Sequence, residues 1–162
     1  MAREYVISGA GLTVAGATTL LFLNPGTTMS IEILRLWVGQ SANATSAQQR
    51  VQVVTQPTTF PTGSSVTPRA LKQRDPASAI TGIATECIAG RCCINASAEG
   101  AGAKTAVLDD AFNVLNGWLW VPTPNETIIM SASFASGLGL FLPVAPATLT
   151  NWACGMVFRE LG

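Results

Sequence analysis

Histidine is absent from the 162-residue sequence, and with it the commonest general base and metal ligand. Ser-His-Asp and Cys-His nucleophile arrangements and cupin-like metal sites are thereby excluded, and an enzyme is not expected. Charge is also scarce. Charged residues make up 11%, and nine basic residues cancel nine acidic ones. No long-range field therefore draws the chain to nucleic acid or an anionic membrane, and neither is an expected partner. A surface so poor in charge favours self-association, which points to one covered by partners or by further copies. The stretch Tyr5 to Ile31 carries no charge at all, yet it is interrupted by Ser8, Gly9, Gly11, Thr13, Gly16, Thr18 and Thr19. A spanning helix needs about 20 predominantly apolar residues. A signal peptide needs a basic leader, whereas Arg3 is offset by Glu4. Neither a membrane span nor export is expected.

Cysteine is sparse but clustered: Cys87, Cys92 and Cys93, then a distant Cys154. The spacing fits no common zinc signature. Cys92 and Cys93 would face opposite sides of a strand, so one site does not hold both. Buried free thiols acting as small hydrophobes are expected, with no disulfide in a reducing cytosol. No metal or other cofactor is implied.

Apolar residues amount to 48%, and Gly, Pro, Ser, Thr and Ala fill most of the remainder. This is the composition of a turn-rich β protein, and 162 residues suffice for one domain with one core. Ser30 to Gly39 is the expected central strand. Pro25-Gly26 precedes it, and it contains β-branched residues and a tryptophan. Alternation places Leu34, Leu36 and Val38 on one face and Ile33, Arg35 and Trp37 on the other. Ile33, Leu36 and Trp37 also fit helical spacing, with Thr27 or Ser30 as N-cap, and strand is preferred. Because a sandwich strand normally turns one face to the core, Ile33 and Trp37, around Arg35, become candidate subunit contacts.

Before this strand, Tyr5 to Ser8 reads as a peripheral strand. Leu12 to Val14 and Thr18 to Leu23 read as a hairpin-like pair, and Asn24-Pro25-Gly26 as a turn. Gly39 to Gln49 reads as a loop, and Arg50 to Gln56 as a strand. Gln56 to Arg74 lacks any strand signal, and loops of that length usually serve function or contact. Ile80 to Ile88 is left open between strand and helical turn. Arg91 to Ser97 reads as a strand ending in a loop from Ala98 to Ala103. Clearer strands follow over Gly117 to Val121, Glu126 to Ser133, Leu138 to Leu142 and Asn151 to Glu160, broken at 122–125, 135–137 and 143–146. In the last, Trp152, Cys154, Met156 and Phe158 share a face, and it should pair with an early strand. Short strands with turn signals between them indicate a β-sandwich or barrel.

Other motifs carry little chemistry. Asp109 and Asp110 diverge on an extended chain, so a shared acid/base site is not expected. Gly9 to Gly16 lacks the spacing of a nucleotide loop. The N-x-S/T matches at Asn43, Asn95 and Asn125 need an export route to matter. Trp118 and Trp120 would share one strand face, suited to a core, a subunit interface or a sugar-stacking platform.

Several features together resemble a known group. They are Thr13-Val14-Ala15-Gly16-Ala17-Thr18-Thr19, a strand ending near Trp37-Val38, Thr67-Pro68 before Asp75-Pro76-Ala77, Gly117-Trp118 near a proline-broken turn, and a terminal strand closing on Phe158-Arg159-Glu160. The chain is similar to small structural proteins of tailed bacteriophages, and among them most to jelly-roll capsid decoration (cement) proteins. The resemblance implies a single jelly-roll β-sandwich over residues 1–162, with residues 1–16 as a candidate extended N-terminal arm. It further implies a homotrimer bound to the major capsid protein on the outer surface of the virion, after a period in the host cytoplasm. Position and charge nominate Arg3, Glu4, Arg69, Lys72 and Arg74 for capsid contact. Ile33, Trp37, Trp118 and Trp120 are the candidate subunit interface. A tail, fibre or vertex protein and a carbohydrate-binding adhesion module are the alternatives.

Overall fold

The computed structural model describes residues 3–27, 29–132 and 136–161. Thirteen strands follow one another along the chain. They are β1 (Arg3–Leu12), β2 (Thr18–Asn24), β3 (Ile31–Gln40), β4 (Gln48–Gln56), β5 (Thr62–Ser65), β6 (Arg69–Ala70) and β7 (Thr81–Gly82), then β8 (Arg91–Ala98), β9 (Thr105–Asn113), β10 (Trp118–Trp120), β11 (Ile128–Met130), β12 (Gly137–Leu142) and β13 (Trp152–Glu160). One sheet runs β10-β3-β13-β1-β6, with β11 also on β3, and the other runs β5-β8-β2-β12-β4-β9, with β7 on β8. Set aside β5 to β8, and β11, which pairs with β3 as β10 does, and the remaining eight strands divide between the sheets as β1-β13-β3-β10 and β2-β12-β4-β9. That is the order of a jelly-roll sandwich.

The sandwich closes because each inner face is apolar. Trp152, Cys154, Met156 and Phe158 of β13 are wholly buried, as their alternation predicts, and they pack with Tyr5, Ile7, Leu36, Leu138 and Leu140 in one continuous core. Burying each large apolar side chain contributes roughly 1.5–3 kcal/mol. As expected of a partner for an early strand, β13 pairs with β1 from Arg3↔Glu160 to Leu12↔Trp152, and on its other side with β3.

The expected face assignment of β3 fails at one residue. Val157 pairs with Arg35 and Phe158 with Ile33, so Leu34 is an extra, unpaired residue, a β-bulge. Slipping by one residue exchanges the faces. Ile31 and Ile33 before the bulge, and Leu36 and Val38 after it, therefore all point into the core. Ile33 is 0% exposed, so its expected role as a subunit contact is corrected to a core role. Trp37 does face outward and is half-buried. It pairs with Gly155 and lies so close over it that an added Cβ would sit 1.9 Å from the indole Cζ2. Only glycine leaves room there. The Arg35 guanidinium stacks on Trp37, 5.6 Å from the ring centroid.

Other expectations also change. The candidate arm over 1–16 is strand β1 from Arg3 to Leu12, held between β13 and β6 and thus not peripheral; Met1 lies outside the described residues. β1 and β2 lie in different sheets and form no hairpin. Thr105–Asn113, not expected as a strand, forms β9. Gln56 to Arg74 contains the short strands β5 and β6, and the open stretch Ile80 to Ile88 contributes only β7. The strand expected over Glu126 to Ser133 is confined to β11. Ser133, and Ala135 in the expected break after it, lie outside the described residues.

Parts of the segment 57–104 cover the outer face of the second sheet around Phe22. Phe22 on that face meets Cys87, Cys93, Phe60 and Ile83 in a second, smaller core, and every residue of β2 is buried. Hydrogen bonds fasten the cover. Glu99 accepts from the Thr19 amide at 2.7 Å and its hydroxyl at 2.5 Å, and Gln56 Nε2 donates to the Thr59 carbonyl at 2.6 Å.

The bulge makes a direct prediction. Leu36→Ala should cost about 2–5 kcal/mol by opening a cavity, while Leu34→Ala, outside the core cluster, should cost less than about 1 kcal/mol. Urea unfolding of the two variants checks this, and equal costs would contradict the bulged register.

Candidate interaction surfaces

The two ends of the sheet order expose different chemistry. At one end β6 pairs with β1 in the register Tyr5↔Ala70 and Val6↔Arg69, and the Leu71 amide donates to the Glu4 carbonyl at 2.9 Å. This pairing runs the exposed segment of Arg69, Lys72 and Arg74 along the start of β1, where Arg3 lies, with Arg69 opposite Val6. All four cations are exposed, and none forms a salt bridge among the described residues. Exposed Leu71 lies among them. Glu4, nominated with these cations, is instead paired along the sheet. Arg159 bridges it at 2.7 Å and Glu32 at 3.0 Å, a row across three strands on the outer face of the first sheet. The hydrogen bond it donates to Glu4 is the main reason the Arg159 guanidinium is held above its usual range.

Beneath this corner, segment 75–80 is fastened to the sheet. Buried Glu160 accepts from the Ser78 hydroxyl at 2.6 Å and the Ala79 amide at 3.1 Å, and the Tyr5 hydroxyl donates to the Pro76 carbonyl at 3.1 Å. Burial, and then the charge of Glu160, push the Tyr5 phenol up. The cation corner thus stands on an anchored base.

At the opposite end, β9 edges one sheet and β10 and β11 edge the other. Leu119 is 64% exposed, Val121 58%, Ile129 57% and Val107 46%. A groove of about 460 Å³ runs between the edges, lined by Val107, Leu108, Trp120, Ile128 and Ile129. A nine-residue edge strand beside exposed apolar side chains is a surface ready to pair with another chain. Flanking it are Asp109, Asp110 and Glu126. The two aspartates diverge as expected: Asp109 bridges Arg50 at 2.5 Å and accepts from Gln52 at 2.9 Å, while Asp110 accepts from the Trp118 indole N–H at 3.0 Å.

That last bond corrects the expected role of Trp118. It is 9% exposed, packs in the main core and ties β10 to β9, so it offers no face to a subunit or a sugar. Trp120 is half-buried and lines the groove. The most exposed apolar residues on this edge are Leu119, Val121 and Ile129, of which alternation on β10 could have nominated Leu119 as the opposite face to Trp118 and Trp120. Among the described residues no three metal-ligating side chains come together, and no helix is long and apolar enough to cross a membrane.

Asp110→Ala would leave a mostly buried indole N–H without its acceptor and should cost about 1–2 kcal/mol, read by urea unfolding against Asp109→Ala. The Asp109 carboxyl is held below its ordinary range, first by Gln52 and then by Arg50. Its contribution is therefore complete above the ordinary carboxylate value and is lost as pH falls through the lowered one. An NMR titration should show its midpoint rising in Gln52→Ala; an unchanged midpoint would contradict this contact.

No family model, curated protein or solved structure matches the chain.

Proposed function

We propose that the chain is a structural virion protein, a capsid decoration or cement protein that binds the major capsid lattice as a trimer and stabilises the head. The observation that carries this reading is the separation of two contact chemistries onto opposite edges of one jelly-roll sandwich. An exposed apolar edge with an open strand suits a further copy of the chain. An exposed corner of Arg3, Arg69, Lys72 and Arg74 suits an acidic partner surface, and it stands clear of the apolar edge. A trimer built through the apolar edges would present three such corners at once. Weak single contacts would then combine into strong attachment, because after the first corner binds the others bind from a high effective concentration. Burial across capsid subunit boundaries would resist internal pressure, and no catalytic step is needed.

The alternatives are separated by particular residues and by number. A carbohydrate-binding module needs an exposed aromatic platform, and Trp118 is inside the core. A tail, fibre or vertex protein would share the fold but occur in a few copies per particle instead of hundreds.

Light scattering of the purified protein should give three chain masses, and Leu119→Asp with Ile129→Asp should lower that mass while shifting stability by less than about 1 kcal/mol. Added to undecorated heads, the native protein should bind saturably and raise their heat resistance. Arg69→Glu, Lys72→Glu and Arg74→Glu together should weaken binding at least tenfold, roughly 1.4 kcal/mol or more, and flatten its salt dependence. A stable monomer that leaves heads unprotected would overturn the proposal.

A further inference from the structure

Four buried thiols are present, all free, and they are not equivalent. The Cys92 thiol donates to the Val66 carbonyl at 3.2 Å and faces the main core, and the Cys154 thiol donates to the Leu20 carbonyl at 3.5 Å within the same core. Burial pushes both up to about 12. Cys93, next along β8, points the other way into the small outer core, and there it meets Cys87. The Cys87 thiol donates to the Phe22 carbonyl at 3.8 Å, and both thiols pack against Phe22 in that cluster. The Cys87 amide donates to the Pro61 carbonyl at 2.9 Å, and the Cys93 thiol lies 4.0 Å from that same oxygen.

The backbone explains why they meet. Between them the chain reverses at Ile88 to Arg91, closed by the Arg91 amide on the Ile88 carbonyl at 3.1 Å, with Gly90 at φ 74°. Asn24 Nδ2 also donates to the Cys87 carbonyl at 3.3 Å. The segment is thin: residues 84–86 and 88–89 are exposed, and Cys87 alone is buried among them. The Ile83 amide on the Cys92 carbonyl at 3.0 Å and the Phe60 amide on the Glu86 carboxylate at 2.8 Å also hold it, and because only one of its side chains is buried, local opening gives solvent access to both sulfurs without unfolding the sandwich.

We propose that Cys87 and Cys93 form a redox staple, in which a small-molecule disulfide oxidises the pair to one intramolecular disulfide that fixes segment 83–90 to β8. On local opening, one protein thiolate attacks a sulfur of the reagent disulfide and forms a mixed disulfide, releasing one reagent thiolate, which takes up a proton. The second protein thiolate attacks the protein sulfur of that mixed disulfide and releases the second reagent thiol. Two cysteine S–H bonds and one reagent S–S bond become one cystine S–S bond and two reagent S–H bonds. In a reducing compartment the reverse exchange keeps the thiols free. The staple does not depend on the assembly reading.

The test uses the full chain, folded, with oxidised glutathione at pH 8, followed by acid quench, alkylation after denaturation, and peptide mapping. Two of the four thiols should escape alkylation, the intact mass should fall by about 2 Da as two hydrogens leave, and the linked peptides should join Cys87 to Cys93. The thermal midpoint should rise by about 5 °C, from closure of a short loop in a chain of this size. The variant Cys92→Ala with Cys154→Ala should still form the bond, and Cys87→Ala should not. Should the double variant fail to fold, mapping of the native chain decides alone. Four alkylatable thiols after oxidation, linkage through Cys92 or Cys154, or glutathione retained on Cys87 would each overturn the proposal.

Discussion

The register of β3 against β13 is the constraint on which the other surfaces depend. β13 carries an unbroken apolar face, from Trp152 to Phe158, and also pairs with β1, so β3 must match it from Ile31↔Glu160 to Gln40↔Trp152. The apolar pattern of β3 cannot do so in simple alternation, because Ile31 and Ile33 differ in parity from Leu36 and Val38. One extra residue at Leu34 resolves the conflict. It turns both halves of the strand inward, and Arg35 and Trp37 are left together on the outer face. Trp37 can then lie over Gly155, where no other residue would leave it space. A change of parity inside one strand thus sets the core, the outer face and the residues available to a partner.

That constraint also marks the limit of what alternation could reveal. β13 was legible because it is unbulged and one-sided, and the turn at Asn24-Pro25-Gly26 because its residues have fixed conformational preferences. In β3 the same logic found apolar weight on two faces and inferred a second contact surface, where the physical cause was a bulge. β9 was missed for a related reason. As an edge strand at the rim it buries only Phe112, and Thr105 to Ala111 show no inside and outside to alternate between. β5, β6 and β7 are too short to carry a pattern and are held by their neighbours' hydrogen bonds.

Exposed groups were legible where they lie together in sequence and obscure where pairing assembles them. Arg69, Lys72 and Arg74 announce a basic segment, but only the β1/β6 register runs it along the start of β1, where Arg3 lies. Glu4 is instead engaged by Arg159, which lies between two carboxylates on the outer face of the first sheet. At the other edge, two tryptophans drew notice, and the aliphatic residues Val107, Leu119, Val121 and Ile129 carry the exposure. Size suggested Trp118 as a surface anchor, yet its indole N–H is satisfied by Asp110 and its ring fills the core. Leu119, between the two tryptophans, is what the edge presents.

The scarcity of charge has two physical sources, and separating them narrows what a partner must do. A surface so poor in charge would ordinarily require extensive cover by other chains. Here segment 57–104 supplies part of that cover from within, burying β2 on both faces through Phe60, Ile83 and the Cys87–Cys93 pair. Those apolar residues therefore need no partner. The exposed apolar side chains that remain include a concentrated group at the β9/β10/β11 edge, which is also where the sheets leave strands unpaired. Cover over that edge would take in Val107, Leu119, Val121 and Ile129, while Leu71, Ile88, Leu115, Val144, Leu149 and Leu161 are exposed singly elsewhere. Such cover leaves the cation corner, at the far end of the strand order, free to meet a different surface.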